Sequence, residues 1–262
     1  MRTELVSEPG DPARPNEDFA SVGLPVSGQG GVLVVLDGVT PPRGETGCLH
    51  SVPWFTARLG GALTELTVSL PDVPLADALS AALTRTAEAH TQTCDLSHPR
   101  TPQATVVLAR WSAETVEYLI LCDSALLLES PDGTVTAYLD DRLARLPRAS
   151  LATDALIDAH IRNKEGGFFT AAADPSVAAR AVTGVLPRGE VQAMAALTDG
   201  ATRWVEKFRE GDWGDCFTFL RKEGARALVD RVRMLERADA QERTCLGRSK
   251  THDDATVVYV EG

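Results

Sequence analysis

Five apolar residues in a row, Val32 to Leu36, run directly into a carboxylate at Asp37. A short β-branched run of this kind, bounded by glycines, predicts a strand covered on both faces. Leu59, Leu63 and Leu66, then Leu75, Leu79 and Leu83, have helical spacing, which predicts two amphipathic helices over 52–68 and 74–93. The middle of the chain changes period. Short β-type runs over 104–109, 115–122, 125–129 and 134–138 read as a meander, with "SPDGT" turning between the last two. A helix over 150–163, strands over 178–185 and 191–197, and helical stretches over 201–209 and 212–239 follow. Leu220, Leu228, Val232 and Leu235 mark the core stripe of the last helical stretch. Ala255 to Val260 closes the chain as a strand, and the opening segment, rich in Pro and Gly, carries no predicted element. Strands in antiparallel-looking groups, interrupted by helical blocks, differ from steady βαβα alternation. They predict a layered α+β domain in which helices cover a β core.

The bulk properties narrow the function classes. The 262 residues carry a net charge of −11, a surface that repels phosphate backbones and anionic lipid heads. No nucleic-acid partner and no membrane are therefore expected, although cations inside a cleft can still reverse the local sign. No run reaches the roughly 18 apolar residues of a membrane span, and the first residues contain no apolar core for secretion. Cytoplasmic residence is the default, with a monomer expected. The five cysteines, Cys48, Cys94, Cys122, Cys216 and Cys245, are odd in number, scattered, and form no CxxC. They read as reduced thiols rather than a disulfide framework or a zinc ribbon. Cys48 with His50 supplies two metal-binding side chains, but with no third nearby they make a poor zinc site.

Four predicted strands meet an aspartate at one end: "VLVVLDG" at Asp37, "YLILCDS" at Asp123, "AMAALTDG" at Asp199 and "DATVVYV" at Asp253. In antiparallel packing the exit of one strand can lie beside the entrance of the next, so these acids can converge. Converging carboxylates repel and desolvate one another unless cations lie among them. Oxygen-only ligation by aspartates and a backbone carbonyl suits magnesium or manganese better than zinc. Gly38 and Gly200, each after an aspartate, allow a sharp turn that can bring a carbonyl against an ion.

With "RPNED" (14–18), "VVLDGV" (34–39), "LCDSALLL" (121–128), "LTDGATR" (197–203) and "DDATVVYV" (253–260) in this order, the chain resembles the metal-dependent type 2C (PPM-class) serine/threonine protein phosphatases. "TPQATVVLARW" also resembles that family's strand before the third motif. The resemblance spans nearly the whole chain and implies one catalytic domain over 1–262. It further implies a four-layer αββα sandwich, two central antiparallel sheets flanked by helices, with a binuclear metal site at one end. By position, Asp37 would bridge two Mn2+ or Mg2+ ions and the Gly38 carbonyl would bind one. Asp199 and Asp253 would hold the other, Glu17 and Asp18 would hold water or a ligand, and Asp123 would help a third ion. Asp254 would be a turn acid or one that supports a ligand. The implied reaction is hydrolysis of a phosphomonoester by a metal-activated water without a covalent intermediate.

The chain departs from the pattern in three places. The family's phosphate-binding Arg falls at Ala13, leaving Arg14 as the candidate and Arg43 as a substitute. Val39 stands where the family continues with glycines or a proton-donating His, so His50 becomes the candidate general acid, or else a structural residue at a helix start. Cys122 replaces the family's Gly. The partner implied is a phosphoserine or phosphothreonine protein. The alternatives are a small phosphorylated metabolite, given the altered 39–50 loop, or a pseudophosphatase kept as a binding module.

Overall fold

The computed structural model describes residues 1–25, 30–242 and 251–262; Cys245 lies outside the described residues. Two five-stranded antiparallel sheets stack face to face. One has strands β2 (Phe19–Gly23), β3 (Gly31–Leu36), β4 (Val106–Trp111), β5 (Thr115–Leu121) and β8 (Val182–Pro187) in the order β2-β3-β4-β5-β8. The other has β1 (Arg2–Glu8), β10 (Ala255–Glu261), β9 (Ala193–Leu197), β6 (Ala125–Glu129) and β7 (Val135–Tyr138) in the order β1-β10-β9-β6-β7. Helices α1 (Val52–Ser69) and α2 (Leu75–Glu88) cover the first sheet. Helices α5 (Asp199–Glu206), α6 (Trp213–Glu223) and α7 (Ala225–Glu242) cover the second.

The period-2 geometry of strands explains why the central ones read as unbroken apolar runs. Along β3, Leu33 and Val35 face the opposite sheet, while Val34 and Leu36 pack beneath α1 and α2. Along β10, Val258 and Val260 point between the sheets, and Val257 and Tyr259 toward α5 to α7. Both faces are dry. The expected four-layer arrangement is the one observed.

The differences lie at edges and breaks. β1 and β2 carry no predicted element, because both are edge strands whose side chains are only partly covered; the continuous apolar signal is missing. The helix expected over 150–163 is instead a 3-10 turn at Arg148–Leu151, a short α4 (Asp154–Leu156) and a π turn at Ile157–Ile161. It follows α3 (Arg142–Arg145). The strand expected from 178 starts later. Asp174 caps a 3-10 turn, Pro175–Arg180, by accepting from the Ser176 N–H, and a capped proline start favours helical backbone. The helical stretch expected over 212–239 is observed as two helices, broken at Gly224, whose φ is +91°.

Candidate metal centre

Strand register brings the acids together. Leu36, the last residue of β3, pairs with Phe19, the first of β2, so Asp37 and Asp18 leave the sheet side by side. Leu121 at the end of β5 pairs with Val106, and Asp123 follows. In the other sheet Leu197, ending β9, pairs with both Ala125 and Val257, which places Asp199 beside the start of β10 and Asp253. Five carboxylates from both sheets thus meet at one end of the sandwich. Asp37, Asp123, Asp199, Asp253 and Gly38 line one cavity of about 340 Å3.

Each acid is fixed by neighbours. Asp37 accepts at Oδ2 from the Asp199 N–H at 3.3 Å, and its own N–H donates to Thr105 Oγ1 at 3.3 Å. Asp18 Oδ2 accepts from the hydroxyls of Thr198 (3.0 Å) and Thr256 (2.7 Å). Its Oδ1 is buried without a hydrogen-bond partner. Glu17 accepts from the Thr40 hydroxyl. Asp253 accepts from Arg203 Nη2 at 3.0 Å, and Arg203 is anchored on the fully buried Glu236, which also takes Arg233 and His252. Asp254 is structural: its two oxygens accept from the Gly10 N–H (2.8 Å) and the Glu17 N–H (2.6 Å). The glycines serve close approach. A Cβ at Gly38 would lie 2.4 Å from the Glu17 carbonyl oxygen, and one at Gly200 would lie 2.0 Å from that of Asp254.

The electrostatics are those of an anion cluster awaiting countercharge. Burial, then the charge of Asp254, pushes the Asp18 carboxyl up to about 7. Burial followed by the charges of Asp123 and Asp253 does the same to Asp199, also to about 7. Asp37 is pushed well above the usual carboxylate range by burial and by Asp199, Asp18, Asp123 and Asp253, and Asp123 is raised chiefly by burial. An unpartnered Asp18 oxygen within an all-oxygen donor set fits hard divalent ions and not thiophilic ones.

Other residues singled out in the sequence fall elsewhere. Arg14 lines a neighbouring cavity with Glu17, Thr40, Asp253 and Asp254. Among the described residues lining the carboxylate cavity, the one cationic side chain is Arg162, ion-paired to Asp158 at 3.6 Å. Sequence reasoning missed it because it follows the broken helical segment. His50 lines neither cavity; its ring packs on Trp54, 4.0 Å between centroids, and its Nδ1 faces Cys94 Sγ at 3.4 Å. Cys122 has φ +71°, left-handed backbone that suits the glycine of the resembled family. Its N–H donates to the buried Asp140 at 2.9 Å. The threonines that hold Asp37 and Asp18 were also missed, although Thr198 and Thr256 flank the acidic motifs.

The fold is a two-sheet αββα sandwich with clustered carboxylates at one end. The sequence profile described as Protein phosphatase 2C matches residues 13–234, and the chain belongs to that family. No curated protein matches it. Among solved structures it is similar to the serine/threonine phosphatase Stp1 from Staphylococcus aureus. The identity there is 14% and the TM-score 0.65, over 100% of this chain and 96% of that one. It is also similar to the serine/threonine phosphatase PstP/Ppp of Mycobacterium tuberculosis, at 16% identity and TM-score 0.61, over 99% and 97%. PppA of Pseudomonas aeruginosa aligns at 15% identity and TM-score 0.54, over 99% and 96%. At these identities the likeness establishes the fold. No described helix is long and apolar enough to cross a membrane.

Proposed function

We propose that the protein is a Mg2+- or Mn2+-dependent phosphatase acting on phosphoserine and phosphothreonine in proteins, with 1–262 working as one catalytic domain. The observation that carries the reading is the meeting of Asp18, Asp37, Asp123, Asp199 and Asp253 at one end of the sandwich, with the acidities of the first four weakened by burial and by neighbouring carboxylates. Such a cluster is costly to fold without cations. Asp37, Asp199, Asp253 and the Gly38 carbonyl are the groups that would hold two ions, with Asp123 serving a third and Glu17 and Asp18 orienting water. Bound there, the ions supply Lewis-acid charge stabilisation and lower the pKa of the attacking water.

The chain's own residues do the positioning. Thr198 and Thr256 fix one oxygen of Asp18 and leave the other aimed away from them. Arg203 steers Asp253. Arg162, in the cavity wall, is the guanidinium placed to meet a phosphoryl oxygen, a contact that planar, bidentate donors make well. His50 is left out of the proton transfers, because it belongs to a different cluster.

The test is hydrolysis of p-nitrophenyl phosphate and of phosphoserine and phosphothreonine peptides with Mn2+, with and without chelator. Metal-dependent turnover of both substrates is expected. Asp199→Asn should fold yet lose roughly 100-fold or more in kcat, the scale of deleting one transition-state electrostatic contact. A fully active Asp199→Asn protein would remove the metal assignment. Turnover of the generic ester without the peptides would point to a small metabolite, and no metal-dependent turnover at all to a binding module.

A further inference from the structure

Outside the carboxylate centre, four side chains with no part in the proposed hydrolysis converge at the other end of the 39–51 loop. They are Cys48, His50, His90 and Cys94, whose donor atoms all lie within 4.8 Å of one another. We propose that these four residues form a closed, structural zinc site that staples the 39–51 loop to the end of α2.

Local geometry builds the site from two short pairs. The Cys94 N–H donates to the His90 carbonyl at 3.0 Å, one helical turn beyond α2, so ligands four residues apart share a face. Cys48 and His50 lie two residues apart in a turn held by Thr46, whose hydroxyl donates to the Cys48 carbonyl at 3.1 Å. The Asp95 N–H donates to the Gly47 carbonyl at 2.7 Å and joins the two pairs.

Three of the four donor separations fall in the range of a tetrahedral ion, and the two sulfurs would part by about 0.5 Å on binding one. With Zn–S near 2.3 Å and Zn–N near 2.0–2.1 Å, donors around zinc lie roughly 3.3–3.8 Å apart. Here Cys48 Sγ is 3.7 Å from His50 Nδ1, 3.4 Å from His90 Nδ1 and 3.2 Å from Cys94 Sγ, and Cys94 Sγ is 3.4 Å from His50 Nδ1. A sulfur separation of 3.2 Å is far beyond the roughly 2.05 Å of a disulfide. Backbone amides also point at the sulfurs: Leu49 N–H donates to Cys94 Sγ and His50 N–H to Cys48 Sγ, each at 3.4 Å. Donors of this kind suit thiolates better than neutral thiols. His90 is buried, and its Nδ1, turned toward Cys48 Sγ, is the ring nitrogen placed to bind a cation. Trp54 walls the cluster, its ring 4.0 Å from that of His50 and 5.2 Å from that of His90. Two thiolates and two imidazoles favour zinc over magnesium or manganese, and four protein ligands leave no open position for chemistry. The inference stands independently of the phosphatase reading.

The full chain, purified under reducing conditions and freed of loose metal, should carry about one zinc per chain. Asp37→Asn should keep that zinc, and Cys94→Ser should reduce it to below about 0.1 equivalent. Cobalt substituted into wild type should give the visible absorption of a tetrahedral cobalt thiolate. Should Cys94→Ser fail to fold, the wild type decides: zinc should protect Cys48 and Cys94 from alkylation, and a strong chelator should expose both. Any of three results would overturn the site: alkylation of Cys48 and Cys94 indifferent to zinc, cobalt spectra without thiolate character, or a Cys48–Cys94 disulfide in place of metal.

Discussion

Stripping the divalent ions from the carboxylate centre should make the protein less stable as pH rises. Asp18 and Asp199 stand at about 7 in the folded chain against an ordinary 3.8. Between those limits the native state holds protons that the unfolded chain has released, so stability falls with pH across that window. Below about pH 3 both states are protonated and the difference vanishes; above about pH 8 the loss is complete. One group displaced by about three units corresponds to about 4 kcal/mol at 1.36 kcal/mol per unit. The acids titrate together and their contributions do not add. Because water reaches the half-buried cluster, a loss of about 2–4 kcal/mol between pH 5 and 8 is expected, about 5–10 °C in Tm for a chain of this size. The assay is thermal unfolding of wild type and Asp199→Asn in the same chelator at pH 5, 6, 7 and 8. Comparing two proteins under one condition cancels contributions from the rest of the chain. Asp199→Asn should be the more stable protein at pH 8, the advantage should shrink at pH 5, and Mn2+ should reverse the order at pH 8. A wild-type Tm that stays flat or rises with pH in chelator, with Asp199→Asn no better at pH 8, refutes the electrostatic argument for a cation site.

Two further outcomes follow from single residues. Arg162→Ala should lower kcat/KM by roughly 10- to 100-fold, the value of a charge-assisted hydrogen bond, and Arg14→Ala by much less, since Arg14 lines the neighbouring cavity; steady-state kinetics on a phosphopeptide separate the two, and the reverse order would reassign the phosphate contact to Arg14. Cys122→Gly should raise Tm by about 2–4 °C, because relief of left-handed backbone at φ +71° is worth about 1 kcal/mol; calorimetry at saturating metal checks it.

What was legible in the chain follows from what each position packs against. The central strands could be read because both their faces are covered, which leaves runs such as Val32 to Leu36 without a polar residue. The edge strands Arg2–Glu8 and Phe19–Gly23 mix exposed and covered positions, and a period seen on one face only is weak. The acids could be read because each ends or begins a strand, and an antiparallel register places such positions at one end whatever the loops do. Arg162 could not, since the chain reaches the cavity through a 3-10 turn and a π turn that no period announces. The soft-ligand cluster was passed over for a different reason. Cys48 and His50 were weighed against their near neighbours in sequence, whereas their partners His90 and Cys94 lie at the far end of a helical pair. The His-x3-Cys spacing after an amphipathic helix was the available signal, and it becomes informative only once α1 and α2 are seen to fold back on each other.

If both clusters bind as proposed, they would sort cations by chemistry rather than by affinity. Divalent metals compete for any single site in an order that favours zinc over manganese and magnesium, so a carboxylate centre is exposed to the wrong ion. Oxygen donors at Asp37, Asp199 and Asp253, with no sulfur or imidazole among the described residues lining that cavity apart from the Cys122 thiol, would weaken the pull on zinc. The Cys122 thiol is held neutral, since burial and then Asp123 push it well above its ordinary value. The thiolates and imidazoles are held apart at His90 and Cys94, beyond α2, and at Cys48 and His50, on a loop that starts at Gly38, where its backbone passes against Glu17 with no room for a Cβ. A loop pinned by its own zinc at one end presents Gly38 and Thr40 to the carboxylates in one conformation at the other. The hard site then gains its order from a soft one that cannot enter the chemistry, because all four of its positions are filled by protein.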